Sequence, residues 1–227
     1  MLRSNQLIGF GGRRRSTATW STDGLLMLWD IGDSGSYPGS GTSITDLSAA
    51  SVDGTITGTV AYDLSNGGRL YFNGSSNYAT TASDPIDETA SWTIHMLMSV
   101  DDTGIRAFLG TTTAASGGLE FRTTGGNLQI GRMNTAFTTM GAIPTATIVL
   151  VTLTKSGNDY VYYVNGSSVG TATVSYPYTA TTGHRVFNRG DTAEQGKGYF
   201  GLIALYSRAM DATEIADHYA LVSSRVD

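Results

Sequence analysis

SWTIHMLMSV, residues 91–100, alternates in character at every second position. In an extended chain Trp92, Ile94, Met96, Met98 and Val100 fall on one face and Thr93, His95, Leu97 and Ser99 on the other, the pattern of a half-buried strand. Further strand candidates lie on both sides at short intervals: LLMLW (25–29), RLYFN (69–73), RAFLG (106–110), LEFRT (119–123), NLQIG (127–131), TIVLVTLT (147–154), YVYYVN (160–165), SVGTATV (168–174), HRVFNR (184–189) and YFGLIALYS (199–207). Gly, Asn, Asp or Ser turns bound each of them. With 15% charged residues and 29 glycines, the composition is that of short strands joined by tight turns. A chain of 227 residues suits one large all-β domain with a full core. There is no cysteine, so neither a disulfide framework nor a thiolate zinc site is available, and packing alone must hold the fold.

One segment breaks the strand rhythm. In DATEIADHYALV (211–222), Asp211 and Glu214 form a D-x-x-E start signal close to a capping box. Ile215, Tyr219 and Val222 then recur at i, i+4 and i+7, which predicts a short amphipathic helix closing the fold, with His218 as boundary packing.

The N-terminus is different again. Residues 1–22 hold four arginines and no acid, leaving ten basic against nineteen acidic groups in the remainder, for a net charge of -5. Leu2, Leu7, Ile8 and Phe10 show no period that would bury them locally. The expectation is a basic arm over residues 1–22, ordered by a partner through Leu2, Arg3, Leu7, Ile8, Phe10, Arg13, Arg14 and Arg15. A self-sufficient domain follows over residues 23–227. Its acidic balance argues against wrapping nucleic acid. No stretch approaches the ~20 apolar residues of a membrane span, and the arm lacks the unbroken apolar core of a signal peptide, so neither a membrane partner nor self-directed secretion is expected.

The phrases GLLMLWD (24–30), SYPGSGTSITDLS (36–48), GGRLYFNGSSNYATT (67–81) and SWTIHMLM (91–98), followed by YVYYVNG (160–166) and GYFGLIALYSRAMDATEI (198–215), resemble in content and order the concanavalin A-like jelly roll of the laminin G type, in the version common in bacteriophage and bacterial sequences. The resemblance spans residues 24–222 and is weakest from Thr111 to Thr145. It implies an all-β, antiparallel two-sheet jelly-roll sandwich with a short C-terminal helix and an extended N-terminal arm. It also casts YPGSGTSITDLS (37–48) as a crossing from the first strand to the next, with Pro38 and the glycines setting turns and Asp46-Leu47-Ser48 anchoring it.

Because such folds include glucanases, catalysis is tested first. Glycoside hydrolysis needs two carboxylates held ~5 to 10 Å apart across a cleft. No E-x-D-x-E or near variant occurs, and the acidic pairs Asp87-Glu88 and Asp101-Asp102 read as solvated loops. There is no G-x-S-x-G elbow, and His95, His184 and His218 each read as packing rather than as a base. Asp30, Asp33, Asp191 and Glu194 are loop acids of the kind that serve calcium, without the dense oxygen run that would make a site. The expectation is therefore no enzyme, no metal and no cofactor. Arg189-Gly190-Asp191 and the Asn-Gly-Ser triplets at Asn73 and Asn165 read as turns.

Two functions remain. The first is a bacteriophage virion structural protein on the capsid or tail surface: a capsid decoration, head fibre or tail-associated subunit. Its lectin-like domain would face outward while the arm docks on a major capsid or tail protein, in a homo-oligomer. The alternative is a carbohydrate-binding adhesion module of a phage or bacterial surface protein that takes host-surface glycans. Tyr176 and Tyr178, flanking Pro177, are its sugar-contact candidates, set against a plain role as cover for the sandwich edge.

Overall fold

A computed structural model describes residues 19–112, 117–176, 178, 182–191 and 193–227. The arm residues Leu2, Arg3, Leu7, Ile8, Phe10, Arg13, Arg14 and Arg15 lie outside these, and of the arm only residues 19–22 are described.

Two antiparallel sheets face each other. The first contains β1 (Leu25–Asp30), β4 (Ala61–Asp63), β5 (Arg69–Asn73), β7 (Trp92–Met98), β12 (Val149–Ser156), β13 (Asp159–Val164), β14 (Ser167–Thr173) and β16 (Lys197–Tyr206). The second contains β2 (Ser43–Ile44), β3 (Gly54–Thr57), β6 (Tyr78–Thr81), β8 (Arg106–Thr111), β9 (Leu119–Thr124), β10 (Asn127–Arg132), β11 (Ala136–Ala142) and β15 (His184–Val186). The first sheet runs β14-β13-β12-β7-β16-β5-β4 with β1 paired to β16, and the second runs β11-β10-β9-β8-β15-β6-β3-β2. This is the expected jelly-roll sandwich, with the helix α1 (Ala212–Val222) at its C-terminal end.

The strand that sets the fold departs from expectation in one respect: β7 is buried on both faces along its whole length. Trp92, Ile94, Met96 and Met98 enter the core between the sheets, as their alternation requires. Leu97, on the opposite face, joins a second apolar cluster with Leu150, Leu202, Tyr206, Ile215 and Val222, because α1 lies across the outer side of the first sheet. The helix starts as its sequence dictates. Asp211 accepts from the backbone N–H of Thr213 (2.8 Å) and Glu214 (2.9 Å), and the Glu214 carboxylate accepts from Asp211 N (3.1 Å), a reciprocal capping box.

YPGSGTSITDLS crosses between β1 and β3 and contributes the two residues of β2. Asp46 anchors it: its carboxylate accepts from the N–H of Leu28 (2.8 Å), Ser48 (2.9 Å) and Val52 (2.8 Å). Trp29, fully buried, donates from Nε1 to Val52 O (2.8 Å). Gly54 is required here, since a Cβ would come within 2.5 Å of the Trp29 ring.

At the end of β15, Phe187 holds a left-handed φ of 61°, which is rare for a bulky side chain and costs about 1–3 kcal/mol. The core enforces it. The ring stacks on Phe72 (centroids 4.8 Å apart) and meets Phe108 edge-on (5.0 Å). The turn throws segment 188–196 over β8, where Ala107 N bonds Glu194 O (2.9 Å).

Candidate functional site

Buried polar side chains gather in two places outside the helix-covered face. The first lies on the outer face of the second sheet. Along β9 the core takes Leu119 and Phe121, which turns Glu120 and Arg122 the other way. Segment 188–196 closes over them. Arg189 bonds Asp191 (2.7 Å), Glu120 (3.4 Å) and Glu194 (3.2 Å), while Arg122 bonds Gln129 (3.0 Å) and Glu194 (3.3 Å) and lies 3.3 Å over the Phe137 ring. Gly110 permits this closure, since a Cβ there would meet Arg189 at 2.8 Å. Glu120 has no exposed surface, and burial pushes its carboxyl up to about 7 against the pull of Arg189. The loop acids weighed for calcium resolve here and nearby. Asp191 and Glu194 belong to this network, Asp30 pairs with Arg225 (2.8 Å), and Asp33 accepts from Gly35 N in a turn (2.7 Å). Among the described residues no group of three or more His, Asp or Glu is arranged to hold a metal. Arg189 and Asp191 of the RGD triplet bind each other in this network.

The second place is at the end of the sandwich, where the segment 82–91 joins β6 to β7. Side-chain and backbone bonds hold that segment in shape: Asp84 accepts from Ile86 N (3.0 Å), Asp87 accepts from Thr89 N (2.9 Å), and Lys155 Nζ donates to Ala90 O (2.8 Å). These turns direct Asp87 to solvent and Glu88 inward, so the Asp87-Glu88 pair is not the solvated loop its sequence suggests. Glu88 is 6% exposed. His184 approaches from β15, with its backbone fixed by His184 N donating to Thr81 Oγ1 (2.8 Å). Its imidazole is fully buried, with Nδ1 3.2 Å from Asp84 Oδ1 and Nε2 4.0 Å from Glu88 Oε1. Tyr178 borders the same cavity as Glu88.

A cavity of about 610 Å³ opens on this group, walled on its apolar side by Leu26, Pro85 and Ile86 and on its polar side by Asp84, Glu88 and Tyr178. A smaller chamber of about 30 Å³ continues from the same wall down to Trp92. Glu88 Oε1 and Tyr178 Oη, from two residues of the cavity lining, are buried without a hydrogen-bond partner, as are His184 Nε2 and Trp92 Nε1, the latter from a residue that lines the smaller chamber. Burial raises the carboxyl of Glu88, opposed by His184, and raises the Tyr178 phenol well above its ordinary value. Buried polar groups are nearly always satisfied, so two unpartnered groups on the lining of one cavity mark a place that waters or a small polar molecule can complete.

The two tyrosines singled out in the sequence part company here. Tyr178 lines the cavity while its ring packs on the core. Tyr176, 5.8 Å away between ring centroids, shares a hydrogen bond with Thr138 Oγ1 (2.6 Å) on β11. Glu88, Asp84 and His184 were missed as a group. The available signal was two acids four residues apart in a loop facing the first residue of a distant strand, and nothing local in the chain announces that meeting.

With this geometry in view the lineage is clear: residues 73–216 match the Concanavalin A-like lectin/glucanases superfamily (Laminin_G_3), and the chain belongs to that family. Among solved structures it is similar to Domain 4 of AbnA, a GH43 extracellular arabinanase from Geobacillus stearothermophilus, in complex with arabinotriose. That likeness has a TM-score of 0.68 at 15% identity and covers 85% of this chain and 97% of that domain. It is also similar to the binding domain of Botulinum Neurotoxin DC in complex with SialylT (TM-score 0.69, 10% identity, 88% of this chain). A third likeness is to Trypanosoma rangeli sialidase in complex with the inhibitor DANA (TM-score 0.64, 16% identity, 89% of this chain). The chain spans 52% of the neurotoxin binding domain and 34% of the sialidase. At these identities the likeness is one of fold. No curated protein matches the chain.

Proposed function

We propose that this chain is a carbohydrate-binding module that seats a sugar in the cavity at the end of the sandwich. The observation that carries the reading is the cavity itself: an apolar lining that also presents two buried hydrogen-bonding groups with no partner. A pyranose or furanose ring offers the matching chemistry, with a C–H face for Leu26, Pro85 and Ile86 and hydroxyls for Glu88 and Tyr178. The volume falls within the ~300–1,000 Å³ of small-molecule sites. Discrimination would come from leaving those buried groups unpaired when a hydroxyl is missing.

Binding suits the site better than hydrolysis. Asp84 and Glu88 both address one imidazole, whereas glycoside cleavage needs two carboxyls set across the scissile bond. The companion expectation, a bacteriophage virion subunit docked by its arm, rests on residues outside the described ones. Nothing in the comparisons links the chain to virions, so the adhesion reading takes precedence.

The test is a glycan array probed with the full chain, followed by calorimetry on the strongest hit. Glu88→Gln and Tyr178→Phe should each weaken binding about tenfold or more, equivalent to ~1.4 kcal/mol. An array without signal, or a hit whose affinity neither substitution changes, overturns the proposal.

A further inference from the structure

The outer face of the first sheet holds a second histidine group that plays no part in the sugar cavity. His95, fully buried at the middle of β7, and His218 on α1 meet with Nε2 and Nδ1 3.1 Å apart. His95 Nδ1 lies 2.7 Å from Thr152 Oγ1 on β12, and its Nε2 lies 3.4 Å from Met210 Sδ. Above them runs the strap of residues 19–22. Trp20 packs edge-on against His218 (centroids 4.8 Å) and reaches His95 (5.7 Å), while Ser21 N donates to His218 Nε2 (3.4 Å).

This chain of bonds fixes the protons. Because His218 Nε2 accepts from a backbone N–H, it carries no hydrogen, so in the neutral ring the hydrogen is on Nδ1 and is donated to His95 Nε2. His95 Nε2 is then the acceptor, and its own hydrogen sits on Nδ1, facing Thr152. Each imidazole therefore has one site left to protonate, and each such site is an acceptor already in use. A proton on His218 Nε2 sets N–H against the Ser21 N–H and breaks the strap bond. A proton on His95 Nε2 sets N–H against the His218 Nδ1–H and breaks the bond between helix and sheet.

We propose that the His95–His218 pair is an acid-operated latch that holds the strap of residues 19–22 on the first sheet at neutral pH and lets it go on acidification. The surroundings suit the role. A cleft of about 420 Å³ lined by Thr19, Ser21, Glu214, Asp217 and His218 brings water to the outer ring. The charged and titratable groups facing the pair are Glu214 and Asp217 on the helix, Arg208 ahead of it, and Tyr206 on β16. Glu214 is engaged by Arg208 (2.6 Å), which leaves it a weak counter-charge for an imidazolium. His95 faces thioether, hydroxyl and aromatic groups, with no carboxylate among its contacts. Burial lowers the basicity of both rings, most strongly for His95, so the neutral arrangement is the resting one at pH 7.

The experiment follows Trp20 in the full chain from pH 8 to pH 5, subtracting the emission of a Trp20→Phe variant. Its partners Trp29 and Trp92 are 0% and 1% exposed in the core, so their near-ultraviolet circular dichroism reports whether the sandwich stays intact. The latch predicts a red shift of Trp20 emission with that core signal unchanged, and loss of the pH transition in His218→Gln, whose amide does not titrate in this range. Glu214→Gln should leave the transition in place. Hydrogen exchange at the Ser21 amide of the unmodified chain supplies a reading that needs no variant, with protection falling over the same pH range. Emission that stays constant until the core itself unfolds overturns the latch, as does a transition that survives unchanged in His218→Gln.

Discussion

The Arg189 network and the Glu88 cavity use the same materials, buried carboxyls beside a cationic or titratable partner, and differ in how completely they are closed. On the outer face of the second sheet, Arg189 reaches Glu120, Glu194 and Asp191, and Arg122 reaches Gln129 and Glu194. That group anchors segment 188–196; Glu120 Oε1 and Asn188 Nδ2 are unpartnered here too, but each charge in the group is met by an ion pair. At the sandwich end Glu88 and Tyr178 carry open valences on the lining of an empty volume. An ion-paired network reads as a structural joint, whereas uncharged open groups beside a cavity suit the proposed receptor. The contrast yields tests, because a joint should fail by unfolding and a receptor by losing its ligand.

Arg189→Met should produce the largest effect. It strands Glu120 and Glu194 together in a buried site, and removing one partner of a buried ion pair costs about 3–5 kcal/mol. Urea unfolding at pH 8 measures it, and a loss below about 1 kcal/mol would show the network to be ornamental. The loss should shrink at pH 5, where Glu120 is protonated and needs no counter-charge.

Next in size is the pH profile of the unmodified chain. Glu120 is raised in the folded state from 4.5 to about 7, so the folded chain binds more protons there and this contribution is full below pH 4.5 and fades as pH rises through 7. The histidine pair has the opposite sign. His95 and His218 lie below the ordinary 6.5 when folded, so their contribution is full above 6.5 and is lost as pH falls beneath it. The two contributions oppose each other below neutrality: that of Glu120 grows as pH falls from 7 towards 4.5, that of the histidines is lost beneath 6.5, and neither changes on the alkaline side. Glu120→Gln should therefore steepen the acid-side loss of stability and leave the alkaline side unchanged, as read from melting temperatures between pH 5 and 9.

These clusters also show what the chain discloses before folding. Strong alternation over 91–100 and the D-x-x-E helix start were legible because each is local: a period of side chains, and a cap closed within four residues. Strands β2, β3, β4, β6 and β11 were not, being short or rich in Thr, Ala and Gly, and they are strands because neighbours supply their hydrogen bonds. The outer face of β7 misled for a related reason. Thr93, His95, Leu97 and Ser99 read as a solvent side until a helix more than 110 residues later covers them. The cavity was half visible through Tyr178. Its acids were not, since Glu88 turns inward only because Asp84 and Asp87 spend their side chains bracing the loop around it.

Tyr176→Phe should act on stability alone. It removes the hydroxyl shared with Thr138 at 2.6 Å, a tie between the segment after β14 and the edge strand β11, and should cost about 0.5–1.5 kcal/mol in denaturant unfolding. Affinity for an array-positive glycan should change less than with Tyr178→Phe, because it is the Tyr178 side chain that lines the cavity.

The smallest expected effect on stability is the most informative. Glu88→Gln replaces a carboxyl that burial already biases toward its neutral form with a neutral group of the same shape. Its Oε1 has no hydrogen bond to lose, and the imidazole nitrogen opposite is 4.0 Å away. Unfolding free energy should therefore shift by no more than about 0.5 kcal/mol, within the range of ordinary neutral substitutions. A carboxyl kept buried without contributing to the fold is retained at the expense of stability, the usual mark of a group held for a ligand. If Glu88→Gln instead destabilises the chain as Arg189→Met does, the sandwich end is a second joint and the distinction between the two clusters disappears.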